Sequence, residues 1–186
     1  MERVILLGDS PFLKQTEHIL HYVLDRFPVI GINEVIKKCR VDKHIFTDMN
    51  VAYLTNCYID TPTISLNSYG DLIQKENKEL IDTFTYEGDL CIKKNNKLAW
   101  CGFTHDYALS YLITKGVKEV VLLGAADFID GVHYSNDREF RHSKKLQQKS
   151  IDFIRDCYNT YLTIRTCNPN SKAGVPYVPI EELLKV

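Results

Sequence analysis

Apolar residues cluster along this chain in short unbroken runs, each closed by a glycine or a small polar residue. The first is the run 4–7, which leads straight into Gly8-Asp9-Ser10-Pro11. A continuous apolar run of this length, bounded by turn residues, reads as a strand buried on both faces. Similar runs recur at 27–32, 43–47, 61–66, 117–123 and 161–165. Between them the period lengthens. Residues 11–26, residues 102–115 ahead of Gly116, and residues 143–158 with the stripe Leu146, Ile151, Phe153, Ile154 and Tyr158 predict helices. Pro11 suits a first helical turn and Ser10 can cap it. Strands alternating with helices predict an α/β fold, a mostly parallel sheet flanked by helices.

One stretch departs from the alternation. Residues 83–86 and 90–92 flank Glu87-Gly88-Asp89, which predicts a small β-hairpin insertion around residues 81–100. The tail, 176–186, reads as an ordered strand edge and a short helix. With no repeat, low-complexity tract or Pro/Gly/Ser linker, residues 1–186 are expected to form a single domain.

Charge and composition narrow the function. The formal net charge is -1, and the one basic cluster, 138–149, is interrupted by Glu139. That excludes a general nucleic-acid surface, which needs clustered excess Lys and Arg. No apolar run reaches membrane-span length and the N-terminus has no signal-peptide layout, so a cytoplasmic protein is expected. The six cysteines form no C-x-x-C pair and no zinc spacing with histidine, and are expected to be reduced thiols.

In an open parallel sheet, ligands sit beyond the carboxyl ends of the strands, where the strand order reverses. That rule gathers Gly8, Asp9, Ser10, Asn33, Asp48, Gly124 and Asp127 along one rim. The turn at 8–11 adds backbone N–H groups and a helix N-terminus, a combination that favours phosphate. Taken singly, Asp9 and Asp48 also read as helix caps, Asn33 as a turn residue and Asp127 as a solvated loop carboxylate. Neither a G-x-x-x-x-G-K-[ST] P-loop nor a G-x-G-x-x-G dinucleotide fingerprint is present.

The motifs occur in an order that resembles a known family. Residues 4–13, Val-Ile-Leu-Leu-Gly-Asp-Ser-Pro-Phe-Leu, are similar to the G-N-G-P-S-L opening of bacterial lipooligosaccharide sialyltransferases that use CMP-sialic acid. Val29-Ile30-Gly31-Ile32-Asn33 resembles their second strand, and Cys101-Gly102-Phe103 with 108–120 their S-G-containing helix and the strand after it. Gly124-Ala125-Ala126-Asp127-Phe128 to Tyr134 resembles their G-I-D-F-Y segment. Arg141-His142-Ser143-Lys144, the helix to Tyr158, and Cys167-Asn168-Pro169-Asn170-Ser171 match an H-S-K, helix, C-P-N-S series. The MptE-like hydroxymethylpterin diphosphokinases share the opening, an Asp after the third strand, as Asp48 is here, and the Glu-Glu-Leu-Leu ending.

The first resemblance implies a Rossmann-like transferase domain with inverting, metal-independent chemistry and no cofactor. It implies a CMP-activated sugar donor and a hydroxyl acceptor whose identity is open. Carried over, His142 is the general base and Tyr134 a hydroxyl that stabilises the departing phosphate. Gly8, Asp9, Ser10, Asn33, Asp48, Cys101, Gly102, Gly124, Asp127, Asn170 and Ser171 hold the nucleotide. Asp9 stands where the family has Asn, Phe128 where it has a first phosphate tyrosine, and only seven residues separate Tyr134 from His142. The second resemblance implies a Mg²⁺-dependent pyrophosphokinase or nucleotidyl transferase using Asp9, Asp48 and Asp127. A non-catalytic nucleotide-binding protein is the third reading, and a homo-oligomer is compatible with all three.

Overall fold

The two most apolar runs form adjacent strands at the middle of the sheet. In the computed structural model, which describes residues 3–88, 91–135, 139–140 and 143–185, these are β1 (Arg3–Leu7) and, later in the chain, β9 (Glu119–Leu123). Between them come α1 (Leu13–Leu24), β2 (Val29–Ile32), a 3-10 turn over Asn33–Lys37, β3 (Lys43–Ile45), α2 (Met49–Thr55), β4 (Thr63–Ser65) and β5 (Lys78–Leu80). There follow β6 (Thr83–Thr85), β7 (Lys93–Lys94), β8 (Lys97–Trp100) and α3 (Thr104–Thr114). After β9 the chain adds β10 (Gly131–Val132), β11 (Glu139–Phe140), α4 (Lys144–Thr160), β12 (Thr163–Thr166) and a terminal 3-10 helix over Ile180–Lys185.

Among the described residues the main sheet has seven parallel strands in the order β12-β9-β1-β2-β3-β4-β5. Successive side chains of a strand point to opposite faces, so a strand covered on both sides must be apolar at every position. Ile5, Leu7, Val121 and Leu123 pack against Leu13, Leu20 and Val23 of α1 and against Ile180 and Leu183 of the tail. Val4, Leu6, Val120 and Leu122 pack on the other face, with Leu109 and Leu112 of α3 and Phe153 and Ile154 of α4. This is a Rossmann-like α/β arrangement, and a separate small mixed sheet lies beside it.

That small sheet differs from the expected hairpin. β6 pairs in parallel with β8, and the hairpin is formed by β7 and β8 around Asn95-Asn96. Both asparagines have positive φ, 51° and 59°, as a two-residue hairpin turn requires, and Asn tolerates that region better than most residues. Of the 87–89 turn, Asp89 lies outside the described residues. Gly88, at φ 98°, turns the chain without returning it at once. The helices at 11–26, 102–115 and 143–158 form with their ends moved by one or two residues. β5 (Lys78–Leu80) carries no apolar run, and α2 is a seven-residue helix too short to show a full amphipathic period. The tail's strand edge is a single parallel bridge, Thr166 to Tyr177.

β1 and β9 meet most closely where they end. A Cβ on Gly8 would lie 2.2 Å from the Gly124 carbonyl oxygen. Gly124 has φ 69°, and a Cβ there would meet Leu13 at 2.8 Å. Gly8→Ala is therefore expected to destabilise the protein by about 3 kcal/mol, the upper end of an overpacking penalty. Urea denaturation reads this directly, and a wild-type midpoint for the variant would contradict the close approach.

Candidate functional site

Strand order reverses at β1. β1 to β5 extend the sheet one way, while β9 and β12 extend it the other. The loops leaving β1 and β9 therefore diverge and open a cleft at the carboxyl end of the sheet. The cleft encloses about 110 Å³ and is lined by Asp9, Ser10, Ile32, Asn33, Phe103, Thr104, His105, residues 124–129 and His133.

Three backbone donors expected to face phosphate at the first turn, those of Gly8, Ser10 and Phe12, are already engaged. Gly8 N donates to Leu123 O at 3.0 Å, and Ser10 N to Gly124 O at 3.1 Å. Phe12 N donates to the Ser10 hydroxyl at 3.3 Å, a bond within the turn; the N-cap position of α1 is Phe12 rather than Ser10 and carries no side-chain cap. These bonds hold the β1 and β9 loops together, and Gly8 and Gly124 serve the join.

Asp9 is tied to the loop after β9. Its carboxylate accepts from Ser135 N at 2.7 Å and from the Ser135 hydroxyl at 2.6 Å, and lies 3.0 Å from His133 Nδ1. Its own carbonyl accepts from Tyr134 N at 3.1 Å. Asn33 faces the cleft with a left-handed backbone, φ 53°, and its Oδ1 accepts from the Thr104 hydroxyl at 2.9 Å. The Thr104 hydroxyl also lies 2.8 Å from that of Thr47. Asn33 is held from below by the fully buried His44, whose Nε2 donates to the Asn33 carbonyl at 2.7 Å while Nδ1 lies 3.2 Å from the Thr55 hydroxyl.

Asp127 is 3% exposed, and neither of its carboxylate oxygens has a hydrogen-bond partner among the described residues. Burial pushes its pKa up, while the neighbouring Asn168, Ser10 and Ser171 side chains hold it down in part. These three surround the carboxylate without meeting hydrogen-bond distance and alignment, and the Asn168 amide nitrogen is likewise without a partner. The 168–171 turn is docked here by Lys172 N, which donates to the Asp127 carbonyl at 3.1 Å. Asn170 and Ser171 thus lie behind Asp127 rather than along the cleft, Asn170 on the surface.

The first turn of α3 forms the opposite wall. The buried His105 Nε2 lies 2.9 Å from the Ser150 hydroxyl, and Ser150 donates to Asp106 Oδ1. Asp106 Oδ2 accepts from Phe103 N at 3.2 Å, the reach-back half of a capping box. Burial pushes Asp106 up to about 7, against the bonds from Ser150, Phe103 and Cys101. His105 stacks on Phe103 with ring centres 5.1 Å apart and meets Phe128 edge-on at 5.2 Å.

Several expected residues are not brought to the cleft. Tyr134 turns away: its hydroxyl donates to Glu17 on α1 at 3.1 Å, Lys38 lies over its ring, and burial pushes its pKa up. Asp48 is exposed and caps α2 by accepting from Asn50 N at 2.9 Å. Cys101 is buried, which pushes its thiol up, and Gly102 faces Leu146; the residues just after them reach the cleft instead. His142 lies outside the described residues. Thr104, His105 and His133 were missed, although the first two open the predicted helix and His133 precedes Tyr134. Among the described residues, no group of three His, Cys, Asp or Glu side chains is arranged to hold a metal ion. No helix of the described residues is long and apolar enough to cross a membrane.

Comparison with protein-family models, curated proteins and solved structures returns no match.

The support beneath Asn33 predicts a pH dependence. Burial, reinforced by Lys75, lowers the His44 pKa from 6.5 to about 4 against the bond to Asn33. Between these values the unfolded chain takes up a proton that the folded chain refuses, so stability falls as pH drops from about 6.5 towards 4. The loss attributable to this group is on the order of 3 kcal/mol. His44→Gln is expected to flatten that part of the pH–stability curve, as measured by chemical denaturation at a series of pH values.

Proposed function

We propose that the protein is a glycosyltransferase using a nucleotide-sugar donor, a CMP-sugar in the first place, bound in the cleft between the ends of β1 and β9. The observation that carries this reading is the Asp127 carboxylate, buried at the switch point of the sheet with neither oxygen hydrogen-bonded among the described residues. Such a group accepts the vicinal hydroxyls of a ribose or the exocyclic amine of cytosine, which bring donors without charge. Satisfying a buried acceptor recovers about 1–3 kcal/mol that its isolation costs.

The phosphate belongs at the other wall. The first turn of α3 lines the cleft there, and the positive end of its dipole favours an anion, whereas Gly8 N and Ser10 N of the β1–α1 turn are engaged with the β9 end. In the reaction the acceptor hydroxyl attacks the anomeric carbon from the face opposite the nucleotide, which inverts that centre. The phosphate departs with the bonding electrons, stabilised by the α3 terminus. The resemblance of the motif order to that of the sialyltransferases supports the same assignment.

A Mg²⁺-dependent pyrophosphokinase is favoured by one observation, that Asp9 and Asp127 line the same cleft. Asp48, the third carboxylate of that reading, is engaged as the α2 cap.

A thermal-shift panel separates these readings. CMP and a CMP-sugar are expected to raise the unfolding midpoint without Mg²⁺. Asp127→Asn should weaken that binding roughly ten- to a hundredfold. Stabilisation by ATP or GTP with Mg²⁺ and by no cytidine compound would sink the donor assignment. Cytidine binding without any sugar transfer or donor hydrolysis would leave a nucleotide-binding protein.

A further inference from the structure

We propose that His133 is the general base of the transfer and that Asp9 positions it, an inference that rests on the glycosyltransferase reading. His133 lines the cleft, and its side chain is 31% exposed, so it can exchange a proton with a bound acceptor. Asp9 is 8% exposed at the side chain, and its Oδ2 lies 3.0 Å from His133 Nδ1. The contact is at ion-pair distance without hydrogen-bond alignment, and at that distance the carboxylate's charge favours the tautomer with the proton on Nδ1, which makes Nε2 the basic atom. The pairing follows the usual logic of a base oriented by a third group.

Asp9 is itself fixed. Ser135 N and the Ser135 hydroxyl both donate to it, and Tyr134 N donates to its carbonyl. The segment carrying His133 is thereby strapped to the end of β1, with Gly131 seated on Pro11, where an added Cβ would lie 3.0 Å from the proline ring. Tyr134 anchors the same segment from behind through Glu17. The strap thus has its tyrosine turned into the core and its histidine turned into the cleft.

This gives Asp9 a role other than holding phosphate, which its charge would repel. In the transfer the acceptor O–H proton passes to His133 Nε2 as the oxygen bonds to the anomeric carbon. The bond from that carbon to the donor phosphate breaks, and its electron pair leaves with the nucleotide. The imidazolium formed is compensated by Asp9 at Nδ1. The other titratable side chains lining the cleft are Asp127 from the β9 loop and His105 from α3.

The test uses the full chain with a CMP-sugar, reading nucleotide release against pH and donor affinity by calorimetry. His133→Gln should lower turnover roughly 10²–10⁴-fold while leaving the donor dissociation constant within about threefold. Asp9→Asn keeps one acceptor oxygen for Ser135 and should lower kcat with little change in KM. In ¹⁵N spectra of the imidazole, recorded without any donor, wild type should show the proton on Nδ1 of His133, and Asp9→Asn should redistribute it. An unchanged His133 spectrum in Asp9→Asn would overturn the pairing whatever the protein's activity. Wild-type turnover in His133→Gln, with the donor bound, would overturn the base assignment and leave the transferase reading standing. A wild-type chain that turns over no CMP-sugar, yet shows the Asp9-dependent spectrum, would refute the transferase reading and the base role with it.

Discussion

The close approach of β1 and β9 at their carboxyl ends is the constraint on which the site depends. With no side chain on Gly8, its backbone lies against Gly124, and the loops on either side are joined by main-chain bonds. Those bonds use two donors, Gly8 N and Ser10 N, of the kind that a first βα turn commonly turns towards phosphate. They also fix where the two loops separate. Asp9 leaves on one side and Asp127 on the other, and the cleft lies between them. An open parallel sheet makes such a crevice wherever its strand order reverses, and the central strands here are apolar at every covered position, which holds that point rigid.

Two buried carboxylates near the cleft show how burial alone does not define a site. Asp106 is wholly buried but accepts bonds from Ser150 and from the backbone of Phe103, and so it shapes the start of α3 and braces His105. Asp127 is buried almost as deeply, yet neither oxygen has a hydrogen-bond partner among the described residues. The first is an internal support and the second an acceptor facing the cleft. His44 is a support of the same kind as Asp106, bonded from the neighbouring strand β3 to the carbonyl of Asn33, which has a left-handed conformation.

The polar residues of the rim divide accordingly. Asn33 and Asp127 face the cleft directly. Asp9 lines it as well, and its charge is directed at the strap that carries His133 and Ser135. Gly8, Gly124 and Ser10 join the loops, Asp48 caps a helix, and Asn170 and Ser171 lie behind Asp127.

The central strands, the three long helices and the rim were legible from the chain because each depends on a local pattern. An apolar run flanked by Gly or Asp predicts a buried strand and its end wherever it occurs, and the 3.6-residue stripe of 143–158 predicts α4. The sequence by itself therefore determined the α/β class and the residues that end the strands. Tertiary structure decided what those residues do. Period-2 alternation shows that a strand segment can pair but not with which partner, so β6 joined β8 in parallel and the hairpin formed at Asn95-Asn96. Tyr134 and His133 are adjacent in a loop, where no periodicity assigns a face. The ion-pair contact of His133 with Asp9 and the bond from Tyr134 to Glu17 go with the histidine turned into the cleft and the tyrosine away from it, because side-chain direction in a loop is set by its distant partners.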